Sequence, residues 1–210
     1  MTSDLEQIAE DIRNSFSAKD AAREKALRLC REAIRHSANA IRAVHRGEYE
    51  PAQASLKIVR SLLDEMRQAL GDYGELLYGR FVHDAEKEYA EASITLALIT
   101  GNTLPNPATL DVGHAAYLNG MGEAVGELRR HLLDSLRRGD LPRCEKLLAA
   151  MDDIYGVLVT IDFPDALTHG LKRTTDIVRG VLEKSRGDLT LAIRQKELEV
   201  KLDNFANKLL

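Results

Sequence analysis

Apolar residues recur every three to four positions along nearly the whole chain, the spacing that places them on one face of an α-helix. The longest such stretch runs from residue 4 to residue 46 without glycine or proline, and Gly47 ends it. It predicts one very long first helix, about 60 Å at 1.5 Å per residue. A break at residues 15–17, with Ser17 as the cap of a second segment, stays open. A bundle of this size does not need so long a helix, so we expect part of it to pack on another copy.

Glycine, proline and loop-forming residues divide the rest of the chain into further helical segments. Pro51 and Pro142 fall in predicted first turns, where proline is tolerated, and Asp140 is a favourable helix cap. No segment alternates apolar and polar residues as a β-strand does. The pattern therefore predicts an all-α bundle of about seven helices, in a single domain over residues 1–210. The later helices are expected at about 51–70, 80–99, 112–138, 141–159, 165–184 and 189–208, with an SRGD break before the last.

The composition narrows the function and the compartment. A net charge of −4 over 210 residues does not indicate a general nucleic-acid binder, so any such contact would need basic residues gathered on one surface. Cys30 and Cys144 lack CxxC partners, which disfavours a disulfide framework or cysteine metal site and fits a reducing cytosol. No apolar run approaches the roughly 20 residues of a membrane span, and no signal-peptide core is visible. We expect a cytoplasmic protein without a membrane segment.

Two acidic pairs are the strongest candidates for chemistry. Glu88 and Glu91 lie three residues apart and Glu123 and Glu127 four apart, so each pair shares one helix face among apolar or small neighbours. Four converging carboxylates would suit a hard cation such as Mg²⁺ or Mn²⁺, which can orient a phosphate and activate water. Acidic pairs on helices more often face solvent, and the spacing alone leaves both interpretations open.

Glycines and basic residues surround these pairs. Gly120, Gly122 and Gly126 are unfavourable inside a helix, so they indicate close approach of another backbone or of a ligand. Basic residues form a stripe on the first helix and a second group just before Glu88, where they could contact phosphate; a solvated face is the alternative. The candidates for phosphate contact are Arg28, Arg31 and Arg35 in the stripe, and Arg80, His83 and Lys87 in the second group.

Three segments resemble the translin / translin-associated factor X family. Residues 117–128, YLNGMGEAVGEL, resemble a YLxGVxDLxGEL-type segment of translin-associated factor X, the X subunit. Residues 88–92, EYAEA, resemble the X subunit's E-[FY]-x-E-A segment. Residues 135–155 continue the match to the family's NSV…GD…VYDGF region, and the similarity extends from the first helix to the last.

The resemblance implies an all-α protein of about seven helices that assembles into hollow octamers. Translin binds single-stranded RNA and DNA, whereas the X subunit is a metal-dependent endoribonuclease with four carboxylates. Those four positions fall here on Glu88, Glu91, Glu123 and Glu127. Glu123 departs from the family pattern, because the X subunit has Asp there. The chain also lacks the X subunit's long insertions, which suggests a compact prokaryotic relative that assembles from one subunit type.

The residues and the resemblance together predict a homo-oligomeric endoribonuclease that uses Mg²⁺ or Mn²⁺ and acts on single-stranded RNA, with single-stranded DNA as a further possible ligand. A non-catalytic RNA- or DNA-binding protein like translin is one alternative. An all-α nucleoside triphosphate pyrophosphohydrolase, which also uses helix-borne carboxylates and Mg²⁺, is another. The motifs GxxxxGK[ST], HExxH and GxSxG are absent. The sequence therefore gives no support for an ATPase, a zincin metalloprotease or a hydrolase with a nucleophile elbow.

Overall fold

The computed structural model describes the backbone of residues 2–209 and the side chains of residues 4–207. Nine α-helices and no β-strand occur in this part of the chain, which confirms the all-α prediction. The helices are α1 (Thr2–His45), α2 (Tyr49–Leu70), α3 (Gly74–Leu77), α4 (Arg80–Thr100), α5 (Pro107–Leu110), α6 (His114–Arg137), α7 (Leu141–Leu158), α8 (Asp165–Thr168) and α9 (Leu171–Leu209). Helices α3, α5 and α8 are single turns, and the other six form the bundle.

The first helix is very long, as predicted. It is uninterrupted over 44 residues, so the break considered at residues 15–17 does not occur. Its C-terminal half is buried in the bundle, whereas its N-terminal part presents an apolar stripe to solvent. The side chains of this stripe, which we call the N-terminal stripe, are Leu5, Ile8, Ile12 and Phe16, each at least half exposed. The part of α1 that extends beyond the core therefore has an apolar surface that no other described part of the chain covers.

The end of the chain differs from the sequence prediction. The segments predicted as two helices form one long helix, α9, and the SRGD sequence lies in its interior. Arg129 of α6 holds this segment helical: its guanidinium donates hydrogen bonds to Ser185 Oγ (2.9 Å) and Asp188 Oδ2 (2.7 Å). Together with burial of the flanking Leu189, these contacts outweigh the cost of Gly187 in a helix, about 1 kcal/mol relative to alanine.

The real interruption lies earlier, between α8 and α9. His169 and Gly170 both adopt left-handed backbone conformations, with φ of +50° and +89°. Asp165 stabilises this turn by accepting a hydrogen bond from the backbone N–H of Gly170 (2.7 Å). The turn redirects the chain so that α9 packs along α6 and α7.

Helix α4 lies at the centre of the bundle and packs against α1, α2 and α6, while α6 packs against α7 and α9. Most of the second half of α4 is buried, including Ala90, Ala92 and Ile94. The buried apolar side chains form one contiguous cluster to which all six long helices contribute. The acidic pairs therefore lie on two neighbouring helices at the middle of the bundle.

Helices α4 and α6 run in the same direction. Glu86, near the start of α4, accepts a hydrogen bond from the backbone N–H of Gly113 (2.9 Å), the residue just before α6. Arg143, in the first turn of α7 that follows α6, donates to the carbonyl oxygen of Ile99 near the end of α4. A carboxylate at a helix N-terminus is favourable because it meets unpaired N–H groups. These contacts fix the register of the two helices.

The two helix backbones meet at Gly120. A Cβ there would lie 2.6 Å from the carbonyl oxygen of Lys87 and 2.9 Å from the backbone nitrogen of Glu91. A Cβ at Gly122 would lie 2.4 Å from Thr174 Cγ2 of α9. The glycines predicted to mark close approach do so at these two positions, whereas a Cβ at Gly126 would have nothing within 4 Å.

In the part of the chain that the structure covers, no helix has the combination of length and apolar character needed to cross a membrane. Cys30 on α1 and Cys144 on α7 are both buried free thiols. Burial, followed by the nearby Glu86 carboxylate, raises the pKa of the Cys30 thiol to about 12. The Cys30 thiol is therefore protonated at neutral pH and serves as a packing group.

Replacing Gly120 by alanine should destabilise the fold by about 1–3 kcal/mol, because the added methyl group overlaps two backbone atoms of α4. The matched control is Gly126→Ala in the same helix, which should raise stability by about 0.5–1 kcal/mol, since it only adds helix propensity. Urea unfolding of the two variants measures both effects. Equal stability of the two variants would contradict the close contact at Gly120.

Candidate functional site

Three of the four predicted glutamates converge where α4 and α6 meet. One carboxylate oxygen from each of Glu88, Glu91 and Glu123 lies within 4.8 Å of the other two. Glu88 and Glu123 are partly exposed, and Glu91 is only 8% exposed. We call these three residues the carboxylate cluster. Its members come from two helices because the contact at Gly120 brings the acidic faces of both to the same level.

Glu91 is the most perturbed group of the cluster. Burial raises its pKa to about 8, and the charges of Glu88, Glu123 and Glu127 act in the same direction. No other described residue forms a hydrogen bond or ion pair with Glu91 that would hold its charge. Without a metal, Glu91 therefore keeps a proton at neutral pH. A carboxyl that is buried among other carboxylates and lacks a counter-ion is a group that a bound cation would stabilise as the anion.

Lys87 partly neutralises the cluster. Its Nζ lies 2.7 Å from Glu123 Oε1 and 3.7 Å from Glu88 Oε1. Burial alone would lower the pKa of Lys87, but its hydrogen bond to Glu123 and the other nearby carboxylates outweigh burial, so the pKa is raised. The ammonium group is charged and supplies one positive charge beside three acidic groups. This leaves the cluster acidic enough for a divalent cation.

Glu127, the fourth predicted glutamate, lies outside the carboxylate cluster. Its Oε2 is 2.5 Å from Nε2 of His45, the last residue of α1. This hydrogen bond is the main cause of a lowered pKa at Glu127, and nearby Arg130 adds to it. Glu127 is therefore ionised and is still close enough to raise the pKa of Glu91. The structure thus places the fourth carboxylate beside the cluster, with a histidine donor of its own.

The donor set fits Mg²⁺ or Mn²⁺. The cluster offers oxygen ligands alone, which hard divalent cations prefer, and contains no thiolate or imidazole of the kind that favours zinc. Glu88 has a raised pKa, first through burial and then through Glu123, so it too would gain from a nearby cation. Within the described side chains this is the one group of three or more potential ligands close enough to share an ion.

A cavity of about 680 Å³ adjoins the cluster through Lys87 and Glu123. Its walls come from α4, α6, α8, the turn after α8 and the start of α9. A larger cavity of about 860 Å³ lies between the end of α7 and α9 but includes none of the four glutamates. The smaller one, which we call the polar groove, is therefore the more relevant to chemistry. It is lined by the cationic side chains of Arg80, Lys87 and Arg173, the imidazoles of His83 and His169, and the carboxylates of Asp84, Glu123 and Asp165.

Two residues of the polar groove form an imidazole pair. The rings of His83 and His169 stack with centroids 4.4 Å apart and planes 16° apart. Burial, followed by the neighbouring His169, lowers the pKa of His83, so this ring is neutral at pH 7. Arg80 at the mouth of the groove is 91% exposed and lies 3.6 Å from Asp84. The groove thus combines a flat aromatic surface with cationic side chains, of which Arg80 and Lys87 lie beside carboxylates.

The basic stripe on α1 is separate from this groove. Arg28, Arg31 and Arg35 are exposed, and none of them forms an ion pair with another described residue. Arg35 precedes His45 by ten residues, about 15 Å of helix. No contact links the stripe to the four glutamates. A role of these arginines in phosphate binding stays a prediction.

Sequence reasoning missed His45, His169 and Arg173. His45 is one histidine among several basic residues at the end of α1 and carries no local motif. His169 and Arg173 reach the groove only because the chain turns at Gly170, within a segment predicted as continuous helix. The left-handed turn is signalled by the His-Gly pair, but its position beside α4 depends on tertiary packing.

Substituting Glu91 by glutamine should change how stability depends on pH in EDTA. The pKa of Glu91 is about 8 in the folded chain, against 4.5 for an ordinary glutamate. The folded state therefore holds this proton more tightly, and wild-type stability should fall as pH rises from about 4.5 to about 8. The Glu91→Gln variant should lose this part of the slope. The exposed Glu145→Gln variant is the control.

The measurement is urea unfolding at pH 5, 6, 7 and 8. Parallel curves for the wild type and Glu91→Gln would contradict a raised pKa at Glu91. The free energy of unfolding of Glu145→Gln should depend on pH as that of the wild type does, because the Glu145 carboxylate is exposed on α7. A different pH dependence in this control would also count against the raised pKa of Glu91.

Solved structures of C3PO, which is of the translin/TRAX type, have the same fold. AfC3PO in a complex with duplex RNA is 36% identical, with a TM-score of 0.83 over 89% of this chain and 97% of that chain. A further crystal structure of AfC3PO is 35% identical, with a TM-score of 0.80 and the same coverage. Apo-NeC3PO, at 21% identity and a TM-score of 0.73, covers 90% of this chain and 96% of its own and shows the fold alone.

Sequence comparison gives one further relative. An uncharacterized protein of Methanocaldococcus jannaschii is 28% identical over 187 residues, which span 88% of this chain and 82% of that protein. No protein-family model matches the chain. The identity and coverage shared with AfC3PO are sufficient to assign the family predicted from the acidic segments. The chain belongs to the translin/TRAX-type C3PO family.

Proposed function

We propose that this protein is a metal-dependent endoribonuclease that acts on single-stranded RNA. The observation that carries the proposal is the carboxylate cluster, in which Glu91 is buried without a counter-ion next to Glu88 and Glu123. Maintaining three carboxyl groups this close is costly unless a cation binds them. Translin-like binding alone gives no reason for such a cluster. Membership of the C3PO family supports a role with nucleic acid.

Glu88, Glu91 and Glu123 would hold Mg²⁺ or Mn²⁺, with Glu127 as the fourth acidic group of the site. When bound, the cation would supply Lewis-acid activation of water and of a phosphate oxygen. Glu127 is ionised and would add its negative charge to the site. Lys87 would shift from Glu123 towards a non-bridging phosphate oxygen, because the cation replaces its charge at the carboxylates.

The polar groove would give the RNA strand a path to the cluster. Lys87 belongs to both, so a phosphate lying in the groove would be next to the bound cation. Arg80 and Arg173 can pair with phosphate oxygens, and the stacked His83–His169 pair offers a face on which a base can stack. The solved complex of AfC3PO contains duplex RNA, so RNA binding has a precedent in the family. Single-stranded DNA would fit the same phosphate and stacking contacts.

We also propose that the protein acts as a homo-oligomer, with the octamer as the expected form. The N-terminal stripe at one end of α1 has a counterpart on α9, where Leu191, Leu198, Leu202 and Phe205 are each more than half exposed. Apolar stripes of this kind on projecting helices are characteristic of surfaces that are buried by a partner. A second copy supplies both stripes at once.

Sedimentation equilibrium should give a particle mass of eight times the 23.3 kDa of one chain. The variant Phe16→Glu should lower this mass, since it places a charge in the N-terminal stripe. The control Asn14→Glu adds the same charge at a polar exposed position two residues away and should leave the mass unchanged. A wild-type mass of 23.3 kDa would overturn the assembly.

The nuclease proposal predicts opposite effects from two variants in one assay with labelled RNA and Mg²⁺ or Mn²⁺. Glu123→Gln should lower the maximal rate by about 100-fold or more while RNA binding persists, because several kcal/mol of metal-assisted stabilisation are lost. Arg173→Gln should raise KM roughly tenfold with kcat retained, since a charge-assisted hydrogen bond contributes about 1.5 kcal/mol or more. Glu145→Gln and Arg179→Gln are the matched controls.

The substrate panel decides between functions. It contains single-stranded RNA, duplex RNA, single-stranded DNA and free nucleoside triphosphates. Cleavage of single-stranded RNA by the wild type only with metal supports the proposal, and preferential cleavage of the duplex would correct the substrate. Metal-independent binding without cleavage would make the protein a translin-like binder. Hydrolysis of triphosphates alone would identify a pyrophosphohydrolase.

A further inference from the structure

The imidazole of His45 is the most unusual buried group near the site. It lies at the C-terminal end of α1, and its side chain is only 4% exposed. Its Nε2 is hydrogen-bonded to Glu127 Oε2 at 2.5 Å. Its Nδ1 is buried and has no hydrogen-bond partner among the described residues. His45 thus directs its one polar contact at a single carboxylate.

The direction of the hydrogen bond follows from its partner. An ionised carboxylate can only accept a hydrogen bond, so Nε2 of His45 is the donor to Glu127. The bond occupies Oε2, while Oε1 forms no hydrogen bond or ion pair with another described residue. A carboxylate anchored through one oxygen has a defined orientation and keeps the other oxygen for a ligand. Hydrogen bonds of this kind tune carboxylates that bind metal ions.

His45 is well placed to act as an anchor. It belongs to α1, whereas Glu127 belongs to α6, so the hydrogen bond joins two helices across 82 positions of sequence. The side chain is enclosed by the bundle and cannot move away without breaking its packing. The neighbouring His131, whose ring centroid is 6.3 Å from that of His45, forms no hydrogen bond to any of the four glutamates. His131 therefore offers a matched comparison.

We propose that His45 is a positioning residue that anchors Glu127 through Oε2 and presents Oε1 to a divalent cation held by the carboxylate cluster. This inference rests on the proposed metal site and extends it to a fifth side chain. It assigns His45 no contact with substrate. Its effect on the cation passes through Glu127 alone.

The test measures binding of Mn²⁺ to the purified 210-residue chain by isothermal titration calorimetry, without RNA. His45→Leu fills the space but removes the donor, and should raise the Kd for Mn²⁺ by about 10- to 100-fold. His45→Gln places an amide N–H near the position of Nε2 and should restore most of the affinity. His131→Leu, the control, should bind Mn²⁺ as the wild type does.

A double-mutant cycle separates positioning from a general structural effect. In the Glu127→Gln background, His45→Leu should cause little further loss, because the two residues act as a unit. An undiminished effect of His45→Leu in that background would overturn the proposal. So would equal Mn²⁺ affinities of the wild type and His45→Leu, or a His45→Gln variant as weak as His45→Leu.

Failure of this inference and failure of the nuclease proposal give different results. Wild-type protein that binds Mn²⁺ but leaves every RNA intact would overturn the nuclease and still support His45 if the cycle behaves as expected. Wild-type protein that binds no Mn²⁺ would overturn both. Far-ultraviolet circular dichroism and urea unfolding confirm that each variant is folded before its affinity is measured.

Discussion

The close contact between the backbones of α4 and α6 at Gly120 determines where the acidic residues lie. No side chain fits between the carbonyl oxygen of Lys87 and the Cα of Gly120. The backbones of the two helices are therefore in direct contact at Gly120. The hydrogen bond from Gly113 to Glu86 fixes their register along the helix axis. Together these two constraints bring Glu88, Glu91 and Glu123 within reach of one ion.

This arrangement has an electrostatic cost that the fold itself offsets only in part. Lys87 supplies one positive charge, His45 donates to Glu127, and Glu91 remains protonated at neutral pH because burial raises its pKa to about 8. Each of these solutions reduces repulsion between carboxylates in the metal-free chain. A divalent cation would replace the Glu91 proton and the Lys87 ammonium together. Metal uptake at the proposed site would therefore be coupled to proton release.

The sequence predicted the all-α fold from its periodicity, whereas the spacing of the acidic pairs left open whether the glutamates converge. The family resemblance implied a site of four carboxylates, and the structure groups three of them and leaves Glu127 outside the cluster. Helical periodicity is local, and acidic pairs at spacings of three and four share a helix face whatever the tertiary structure. The predicted break at SRGD was wrong because Arg129, from a distant helix, stabilises the segment. His45 and His169 could not be assigned from the sequence, because their places depend on how α1 ends and how the chain turns before α9. Contacts between distant segments are what single-sequence patterns leave out.

Because α1 is one uninterrupted helix, it fixes the distance between the apolar N-terminal stripe and the acidic residues of the candidate site. Phe16 in the N-terminal stripe and His45 at the site are separated by 29 residues of continuous helix, about 44 Å. Insertion of a single residue anywhere between them would rotate the stripe by about 100° relative to His45. An insertion of seven residues would keep the stripe and His45 on nearly the same faces but would lengthen the helix between them by about 10 Å. The length of α1 and its helical phase are thus constrained together, and this segment can tolerate substitutions far more readily than insertions or deletions.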